Sequence, residues 1–441
     1  MSRPMLSLVI AVLLLGVGCF SAYAATFYVS TAGANSVTCA QAQNAQTPRR
    51  TINAGIACLA GGDTLIVKAG TYDEILTDYN GISGYTRRVP SGSSWSNLTT
   101  IKAETPGAVT LRVTNAPAGW PGILEFDNGS RYISFEGLVL ACEFTLPLGV
   151  GLTGAEHLRF KDLEILKAKG HGIQGDCIGC EFLNLNIRYS AKNNGTTTCH
   201  DNVCANPPGV MCPTFCHAVY LTGRDNIIDG GSYHDSDGHG IHLYPGPSNN
   251  IVRNTYVYNN VVGIGVYGPG HQVYNNVLHN NQLGIWTSRD NTIAHNTIYG
   301  WQNRDNSSHF GIYDKDGGAI IKNNLVLRQR VDSARGYIYL DGGGGVDSGR
   351  VAGNQCDASM TGCAAIPASP SPVINPDGGN FHLREGSPAI AAGVPLPDAA
   401  MKIDKDGGAR PATGAVDVGA YQYVSGRQTI PPPSNLRAKV P

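Results

Sequence analysis

Histidine, tyrosine and tryptophan side chains follow short apolar pairs that recur about every 22 residues in the middle of the chain. Their first column is Tyr220, His242, Gly265, Trp286 and Tyr313, and a second column, two residues further on, is Thr222, Tyr244, Tyr267, Ser288 and Lys315. Alternate residues of a strand point to opposite faces, so both columns should share one outer face if the repeats stack. Aromatic faces stack on sugar rings, and the gap at Gly265 would admit one ring. We therefore predict a groove for a linear glycan, unless inserted loops or a partner cover these rings.

His242 and Tyr244 lie two positions apart on one predicted strand, roughly 6.6 Å along it. β-Elimination at a uronic acid needs a base for the C5 proton, a stabiliser for the enolate and an acid for the leaving oxygen. His242 is the candidate base, Tyr244 or Tyr267 the acid, and Lys315 or Arg289 the carboxylate neutraliser. Lys315 lies about 14 Å from Tyr244 by strand spacing, which favours binding of a neighbouring sugar. The predicted substrate-binding residues are Tyr220, Trp286, Tyr313, Lys315 and Arg289.

A second candidate acid/base cluster contains Asp235, Asp237 and His239. A hydrolase would use the two carboxylates, which must then lie about 5 to 9.5 Å apart. Calcium could instead bind both, together with Asp314 or Asp316 of a distant coil. The remaining alternative is an Asp-Gly turn whose carboxylates bond to their own backbone. Ca²⁺ is the one cofactor that these residues suggest, and no metal ligand is assigned.

The chain has 12 cysteines, one of them, Cys19, in the predicted leader. Four short-range disulfides are predicted: Cys39 with Cys58, Cys199 with Cys204, Cys212 with Cys216, and Cys356 with Cys363. The cysteines and histidines between residues 177 and 217 could instead bind zinc, but an oxidising compartment favours disulfides. The loop 191–213 in this region is expected to wall the groove.

Three histidines, His171, His217 and His239, share a register position that holds Val262, Leu283 and Phe310 in other coils. Because other coils carry apolar residues at this position, these histidines are predicted to be partly buried with satisfied hydrogen bonds rather than catalytic. The positions between the two outer columns fit an inward face, except at Asp314, where a bulge is expected.

A unit of about 22 residues cannot bury its own apolar face, so the repeats predict stacked coils of two or three short strands. Asparagines that precede the next apolar pair predict an internal ladder of side-chain amides: Asn254, Asn276, Asn296 and Asn324. Ile52, Ile56 and Leu59 at helical spacing predict one amphipathic helix near residues 50–60 that caps the first coil.

The first 24 residues are predicted to be a signal peptide, because Arg3 precedes an apolar run and Ala22-Tyr23-Ala24 is a small-x-small cleavage site. A retained anchor or lipidation at Cys19 is the alternative. The 441 residues carry a formal net charge of −1, so no charge field selects nucleic acid. Only 15% of residues are charged and 56 are glycine, which disfavours helical bundles. We expect a secreted monomer, extracellular or periplasmic, without stable membrane insertion.

Two segments outside the repeats resemble the opening and closing segments of a known superfamily. They contain Arg50-Thr51-Ile52, Gly62-Asp63-Thr64-Leu65-Ile66-Val67, Gly70-Thr71-Tyr72, Asn380-Phe381-His382-Leu383 and the stretch 414–421. With the repeats, they are similar to secreted right-handed parallel β-helix proteins of the pectin-lyase-like superfamily. That resemblance implies an all-β, right-handed parallel β-helix facing a carbohydrate. The superfamily includes polysaccharide lyases, glycoside hydrolases, uronate epimerases and proteins without known catalysis, so it leaves the chemistry open.

The predicted organisation is a signal peptide (1–24), an N-terminal cap and first coil (25–72), a right-handed parallel β-helix (73–363), a C-terminal β segment (364–425) and a Pro-rich tail (426–441). We expect an enzyme that acts on an extracellular polysaccharide, either a lyase that cleaves a uronate-containing glycan by β-elimination or an epimerase. The alternatives are a glycoside hydrolase of the same fold and a noncatalytic surface or adhesion protein that binds carbohydrate.

Overall fold

The computed structural model describes residues 24–77, 89–115, 122–190, 216–244, 246, 248–288, 290–301, 310–327, 337–341, 349–359, 362–367 and 369–426. Residues 1–23 of the predicted signal peptide, the loop 191–213, Arg289 and residues 427–441 of the predicted tail lie outside these ranges. Within these ranges, no helix has the length and apolar character needed to cross a membrane.

Three long parallel sheets run along the molecule, and each coil of the chain contributes one short strand to each sheet. The first sheet contains Thr26–Val29, Thr64–Val67, Thr99–Ala103, Ile133–Glu136, Arg159–Lys161, Glu181–Leu183, Ile227–Asp229, Ile251–Arg253, Gln272–Tyr274, Thr292–Ala294, Ile320–Lys322 and Val351–Ala352. The second contains Gly70–Asp73, Val109–Arg112, Leu138–Ala141, Glu164–Leu166, Asn186–Arg188, Ser232–His234, Tyr256–Tyr258, Val277–Asn281, Thr297–Trp301, Leu325–Leu327, Gln355–Cys356 and Ala364–Ala365. The third contains Leu76–Thr77, Gly122–Phe126, Leu148–Glu156, His171–Ile178, Val219–Leu221, His239–Leu243, Val262–Val266, Leu283–Thr287, Ile312–Asp314 and Ile338–Leu340.

The core lies inside the coils, where each strand turns its apolar side chains inward. Phe135, Phe160 and Phe182 of successive first-sheet strands stack there, Phe126 of the third sheet packs against Phe135, and all four are at most 1% exposed. Stacking of coils therefore supplies the core that a single repeat lacks, as the period predicts.

The predicted asparagine ladder is present, with one shift in position. Asn276, Asn296 and Asn324 each donate a side-chain N–H to a backbone carbonyl of the preceding coil, and each receives a bond from the coil before it. Asn254 is not a member, because Tyr256 pairs with Val277 and so aligns Thr255 with Asn276. The side chain of Asn254 bonds instead to Asp229 on the outside.

The coil that contains Asp314 does not bulge, which corrects the expectation from its polar side chain. Asp314 pairs in register with Thr287 on one side and Leu340 on the other. Its carboxylate accepts backbone N–H bonds from Gly317 and Ala319, which satisfy it inside a turn. Burial raises the pKa of this carboxyl group.

The only α-helix among the described residues is shorter than predicted, covering Ile52–Ile56. Thr51 caps it by accepting a bond from the N–H of Ala54, and Ile52 and Ile56 are buried against the first coils. That this helix caps the solenoid stays a prediction. Two 3₁₀ turns, Gln41–Gln43 and Ala399–Lys402, and an antiparallel pair, Val373–Asn375 with Asn380–Leu383, complete the described elements.

Candidate functional site

The outer face of the third sheet carries the first predicted column in the predicted register. Tyr220 pairs with His242, His242 with Gly265, Gly265 with Trp286 and Trp286 with Tyr313. Parallel strands hold such partners about 4.8 Å apart. Residues matched by counting along the chain are therefore neighbours in space, and the column extends to Tyr339 in the next coil.

The rings of this face form one continuous row of ring contacts, which we call the third-sheet ring ladder. It consists of Tyr220, His242, Tyr267, Trp286, Tyr313 and Tyr339, with successive ring centroids 5.1 to 5.5 Å apart. Tyr244 lies over its middle, 5.4 Å from His242 and 5.1 Å from Tyr267, and is 44% exposed. The ladder is therefore an aromatic surface about 24 Å long over its five steps between coils.

The predicted gap at Gly265 is not open, so it cannot admit a sugar ring. A Cβ atom at Gly265 would lie 2.7 Å from Cδ2 of His239 and 3.2 Å from Cε2 of Tyr267. Both rings lean across the glycine from neighbouring positions and close the space. Glycine at this position makes room for protein side chains, and a bound sugar would have to lie on top of the ladder.

Four histidines meet beneath the ladder, and backbone N–H groups determine how they bond. The N–H of His217 donates to Nδ1 of His171, and the N–H of His239 donates to Nδ1 of His217 at 2.9 Å. Nε2 of His217 lies 3.0 Å from Nδ1 of His242. His239 stacks on His242 with ring centroids 4.0 Å apart.

The expectation of satisfied histidines at this register position is confirmed for His217 and wrong for His239. Both ring nitrogens of His217 are bonded, whereas those of His239 are buried and have no hydrogen-bond partner among the described residues. Burial lowers the pKa of His239 to about 3, which keeps the ring neutral. Burial, together with His239 and His171, also holds the pKa of His242 far below its usual range.

With these hydrogen bonds formed, His242 cannot act as the base that the sequence predicts. Nδ1 of His217 accepts an N–H, so the hydrogen of this neutral ring resides on Nε2 and is donated to Nδ1 of His242. Nδ1 of His242 is then an acceptor, and its hydrogen resides on Nε2. Neither nitrogen of His242 keeps a free lone pair with which to take a proton.

The same bonds decide whether the cluster suits a metal ion. Potential ligand atoms of His217, His239 and His242 all lie within 4.8 Å of one another, which is close enough for one ion. A metal-bound histidine offers one lone pair to the ion and donates its other N–H outward. His217 accepts a hydrogen bond at the nitrogen that would have to donate, so this trio does not fit a metal ion.

The structure places the second acid/base cluster on two elements. The carboxylate of Asp235 bonds to His234 and to Asn259, on the turn that leaves the second sheet. Asp237 lies on the same turn, where its N–H donates to the carbonyl of Ser190, and His239 belongs to the third sheet. Asp314 lies three coils away, about 14 Å by strand spacing, with its carboxylate bonded to backbone. Asp314 therefore does not join Asp235 and Asp237 on one calcium ion.

Three of the predicted zinc ligands, Cys177, Cys180 and Cys216, are used in disulfides instead. Cys177 bonds to Cys180, which the predicted pairings did not include, and Cys216 is also disulfide-bonded. The predicted pairs Cys39–Cys58 and Cys356–Cys363 are confirmed. Cys199, Cys204 and Cys212 lie outside the described residues, and Cys142 is a buried free thiol.

Charged groups are sparse on the described part of the ladder. Lys315 is exposed at the end of the second column, three coils from Tyr244. Arg289, the other predicted neutraliser, lies outside the described residues. The second predicted acid, Tyr267, has its pKa raised above its usual range by burial, so its phenol stays protonated.

The sequence reasoning missed Glu125, which occupies the first column three coils before Tyr220. Glu125 pairs with Gly151, Gly151 with Gln174 and Gln174 with Tyr220. The carboxyl group is 7% exposed, and burial raises its pKa to about 7 while a bond from the N–H of Gly122 opposes the shift. Continuing the register backward through Gly151 would have found it.

Comparison with known proteins supports the fold. The sequence pattern described as "Right handed beta helix region" matches residues 214–355. Pectate lyase Pel9A superposes with a TM-score of 0.58 at 15% identity, covering 90% of this chain and 96% of that one. Weaker matches are alginate lyase from Paenibacillus sp. (0.41, 14%, covering 62% and 91%) and the A-module of the Azotobacter vinelandii mannuronan C-5 epimerase AlgE4 (0.32, 12%, covering 60% and 86%).

Curated protein sequences contain no significant match to the chain. The structural likeness, at 15% identity, concerns the backbone and leaves the chemistry to be argued from the site. The three parallel sheets, the matched repeat region and the superposition agree with one another. The chain is a right-handed parallel β-helix, a fold that it shares with pectate lyase Pel9A.

Proposed function

We propose that this chain is a secreted protein that binds a uronate-containing polysaccharide along the third-sheet ring ladder and cleaves it by β-elimination. The observation that carries the proposal is the ladder itself: six coils present rings in one unbroken row of contacts, and Tyr244 beside them is exposed. The disulfides within the chain support export to an oxidising compartment. Pectate lyase Pel9A, which superposes on this chain, is a polysaccharide lyase by name, and this agrees with a polysaccharide as partner.

Stacking on exposed rings suits a linear glycan because sugar rings present C–H faces that an aromatic ring can cover. Tyr220, Trp286 and Tyr313 are partly exposed and lie in line along the axis of the coils. Their spacing repeats with each coil, so one chain of sugars can contact several of them in turn. Lys315, at one end of the second column, would bind the carboxylate of a sugar away from the reacting one.

Tyr244 is the residue that we assign to proton transfer. As a phenolate it accepts the C5 proton, and the C–H electron pair forms the C4=C5 double bond while the C4–O bond breaks. The leaving oxygen then takes that proton from the phenol, which restores the phenolate. Tyr267 is 5.1 Å away, ring to ring, and as a protonated phenol it can donate a hydrogen bond but cannot serve as the base.

The proposal is tested by adding the purified protein to pectate, alginate and glycosaminoglycans and following the ultraviolet absorbance of the unsaturated product. We expect absorbance to grow on at least one polymer. New reducing ends without absorbance would instead indicate a hydrolase. Binding without either product would indicate a noncatalytic carbohydrate-binding protein, and absence of binding would refute the proposal as a whole.

A further inference from the structure

β-Elimination builds negative charge on the carboxylate of the reacting sugar, and this charge must be stabilised beside Tyr244. The predicted neutraliser Lys315 is about 14 Å away by strand spacing. A preorganised N–H donor can take the place of a cation, because a hydrogen bond to an oxygen strengthens as charge develops there. His242 is the nearest polar ring, 5.4 Å from Tyr244 between centroids.

We propose that neutral His242 donates its Nε2 hydrogen to the carboxylate of the bound uronate, and that His217 is the positioning residue that keeps this hydrogen on Nε2. The inference rests on the proposed function for the identity of the ligand. The arrangement of hydrogens follows from the protein alone.

The hydrogen-bond chain starts at a group whose hydrogen cannot move. The backbone N–H of His239 can only donate, and it donates to Nδ1 of His217. His217 must then donate from Nε2 to Nδ1 of His242, which leaves the hydrogen of His242 on Nε2. Within the described part of the chain, this Nε2 has no protein hydrogen-bond partner. It is not fully buried, whereas both ring nitrogens of His239 are.

The surroundings hold both rings in place. A Cβ atom at Gly238 would lie 2.6 Å from Nδ1 of His217, so a glycine is needed for the backbone to approach the ring this closely. Tyr220 stacks on His217 with centroids 5.5 Å apart, and His239 stacks on the far face of the cluster against His242. His242 is 7% exposed and therefore cannot reorient freely.

The groups that face His242 all favour its neutral form. They are the neutral rings of His239, His217 and His171 and the phenols of Tyr220, Tyr244 and Tyr267. None supplies a negative charge that would stabilise an imidazolium ion while Tyr244 is protonated. A donor that stays neutral keeps its hydrogen over the whole physiological pH range, which a titrating histidine would not.

The direct test is ¹⁵N NMR of the full-length protein labelled at histidine, since ring nitrogen shifts distinguish the two neutral tautomers. We expect His217 and His242 to carry hydrogen on Nε2 from pH 5 to pH 8. Short oligomers of galacturonate or of mannuronate should shift the Nε2 signal of His242 and leave that of His279, on the second sheet, unchanged. His242 with its hydrogen on Nδ1, or titrating in this range, would overturn the inference.

Variants separate positioning from structure. His217→Leu removes the donor to His242, so it should lower turnover at least tenfold and allow the hydrogen of His242 to occupy either ring nitrogen, which the ¹⁵N shifts would report. His217→Gln, whose amide can both accept and donate, should restore most of the turnover and the Nε2 tautomer of His242. His279→Gln is the control. A thermal midpoint for each variant reports folding. A folded His217→Leu protein with the wild-type rate and the wild-type tautomer of His242 contradicts the inference.

The outcomes also distinguish the inference from the proposed function. The predicted tautomers and a shift of His242 on oligomer binding, without product on any polymer, would support the inference and reject elimination. Product formation with His242 on the other tautomer would reject the inference and leave elimination standing.

Discussion

Two outer faces of this β-helix carry stacked rings, and they differ in what lies on them. On the second sheet, His234, Tyr258 and His279 stack with centroids 4.3 and 4.6 Å apart, and Phe381 of the C-terminal segment packs on His279. There Tyr258 is 2% exposed, whereas Tyr244 above the third-sheet ring ladder is 44% exposed. A column of aligned rings therefore forms a buried contact on the second sheet and an open aromatic surface on the third sheet.

The difference teaches that a ring column does not by itself indicate a binding site. The second-sheet rings are covered by the chain, which also contributes Lys405 over Tyr256 and a hydrogen bond between Tyr421 and Tyr256. The third-sheet ring ladder keeps several partly exposed rings along six coils. Stability should depend on the first face, and ligand binding on the second.

The largest effect is expected from Phe381→Ala. Phe381 is 1% exposed and packs on His279 and Tyr299, so its loss leaves a cavity between the C-terminal segment and the second sheet. We expect the free energy of unfolding to fall by about 3–5 kcal/mol, measured by urea denaturation. Tyr244→Ala, on the open face, should change it by less than about 1 kcal/mol. Equal losses from the two variants would erase the distinction between the faces.

Tyr244→Phe removes only a hydroxyl group, and turnover is expected to fall by roughly 10²-fold or more because the proton-transfer group is lost. Glycan binding should persist, since the ring remains. The matched control is Tyr189→Phe, at a tyrosine 36% exposed outside the ladder. Initial rates of absorbance increase at several pH values provide the comparison; unchanged turnover would remove Tyr244 from the mechanism.

Acid should weaken the covered face through His279. Burial lowers its pKa to about 4 in the folded state, below about 6.5 in an unfolded chain. Between these values the unfolded state binds a proton that the folded state does not, so stability falls as the pH falls through this window. We expect thermal midpoints of wild type to drop more than those of His279→Gln between pH 7 and pH 4. The corresponding extra loss in the free energy of unfolding of wild type should be on the order of 1–3 kcal/mol. If the two proteins lost stability equally as the pH falls, the result would count against this role of His279.

Trp286→Ala should have the smallest effect, a roughly tenfold loss of polysaccharide affinity with little change in stability. Trp286 contacts Tyr267 and Tyr313 and is one ring among several in the ladder. Trp95→Ala is the control, because Trp95 packs on Tyr132 and His157 away from the third sheet. Calorimetric titration with the polymer would measure both; equal weakening by the two variants would contradict a site on the ladder.

Periodicity was sufficient to predict which residues align, because the spacing of repeats determines the register of parallel strands. It could not predict how side chains lean across coils. The space at Gly265 is closed by His239 and Tyr267, whose ring orientations do not follow from spacing. The role of His242 likewise depends on a backbone N–H that bonds to His217, a contact between coils with no signature in the sequence. Counting was also one residue out at Asn254, because Thr255 occupies the ladder position of that coil and Asn254 aligns with Asn275.

The central claim is that the third-sheet ring ladder binds the polysaccharide, and residue-resolved hydroxyl-radical footprinting tests it most directly. Polymer should protect Tyr220, Tyr244 and Trp286 from oxidation and leave Tyr189 and Trp95 as reactive as before. Protection confined to other residues, or none at saturating polymer, would contradict the claim.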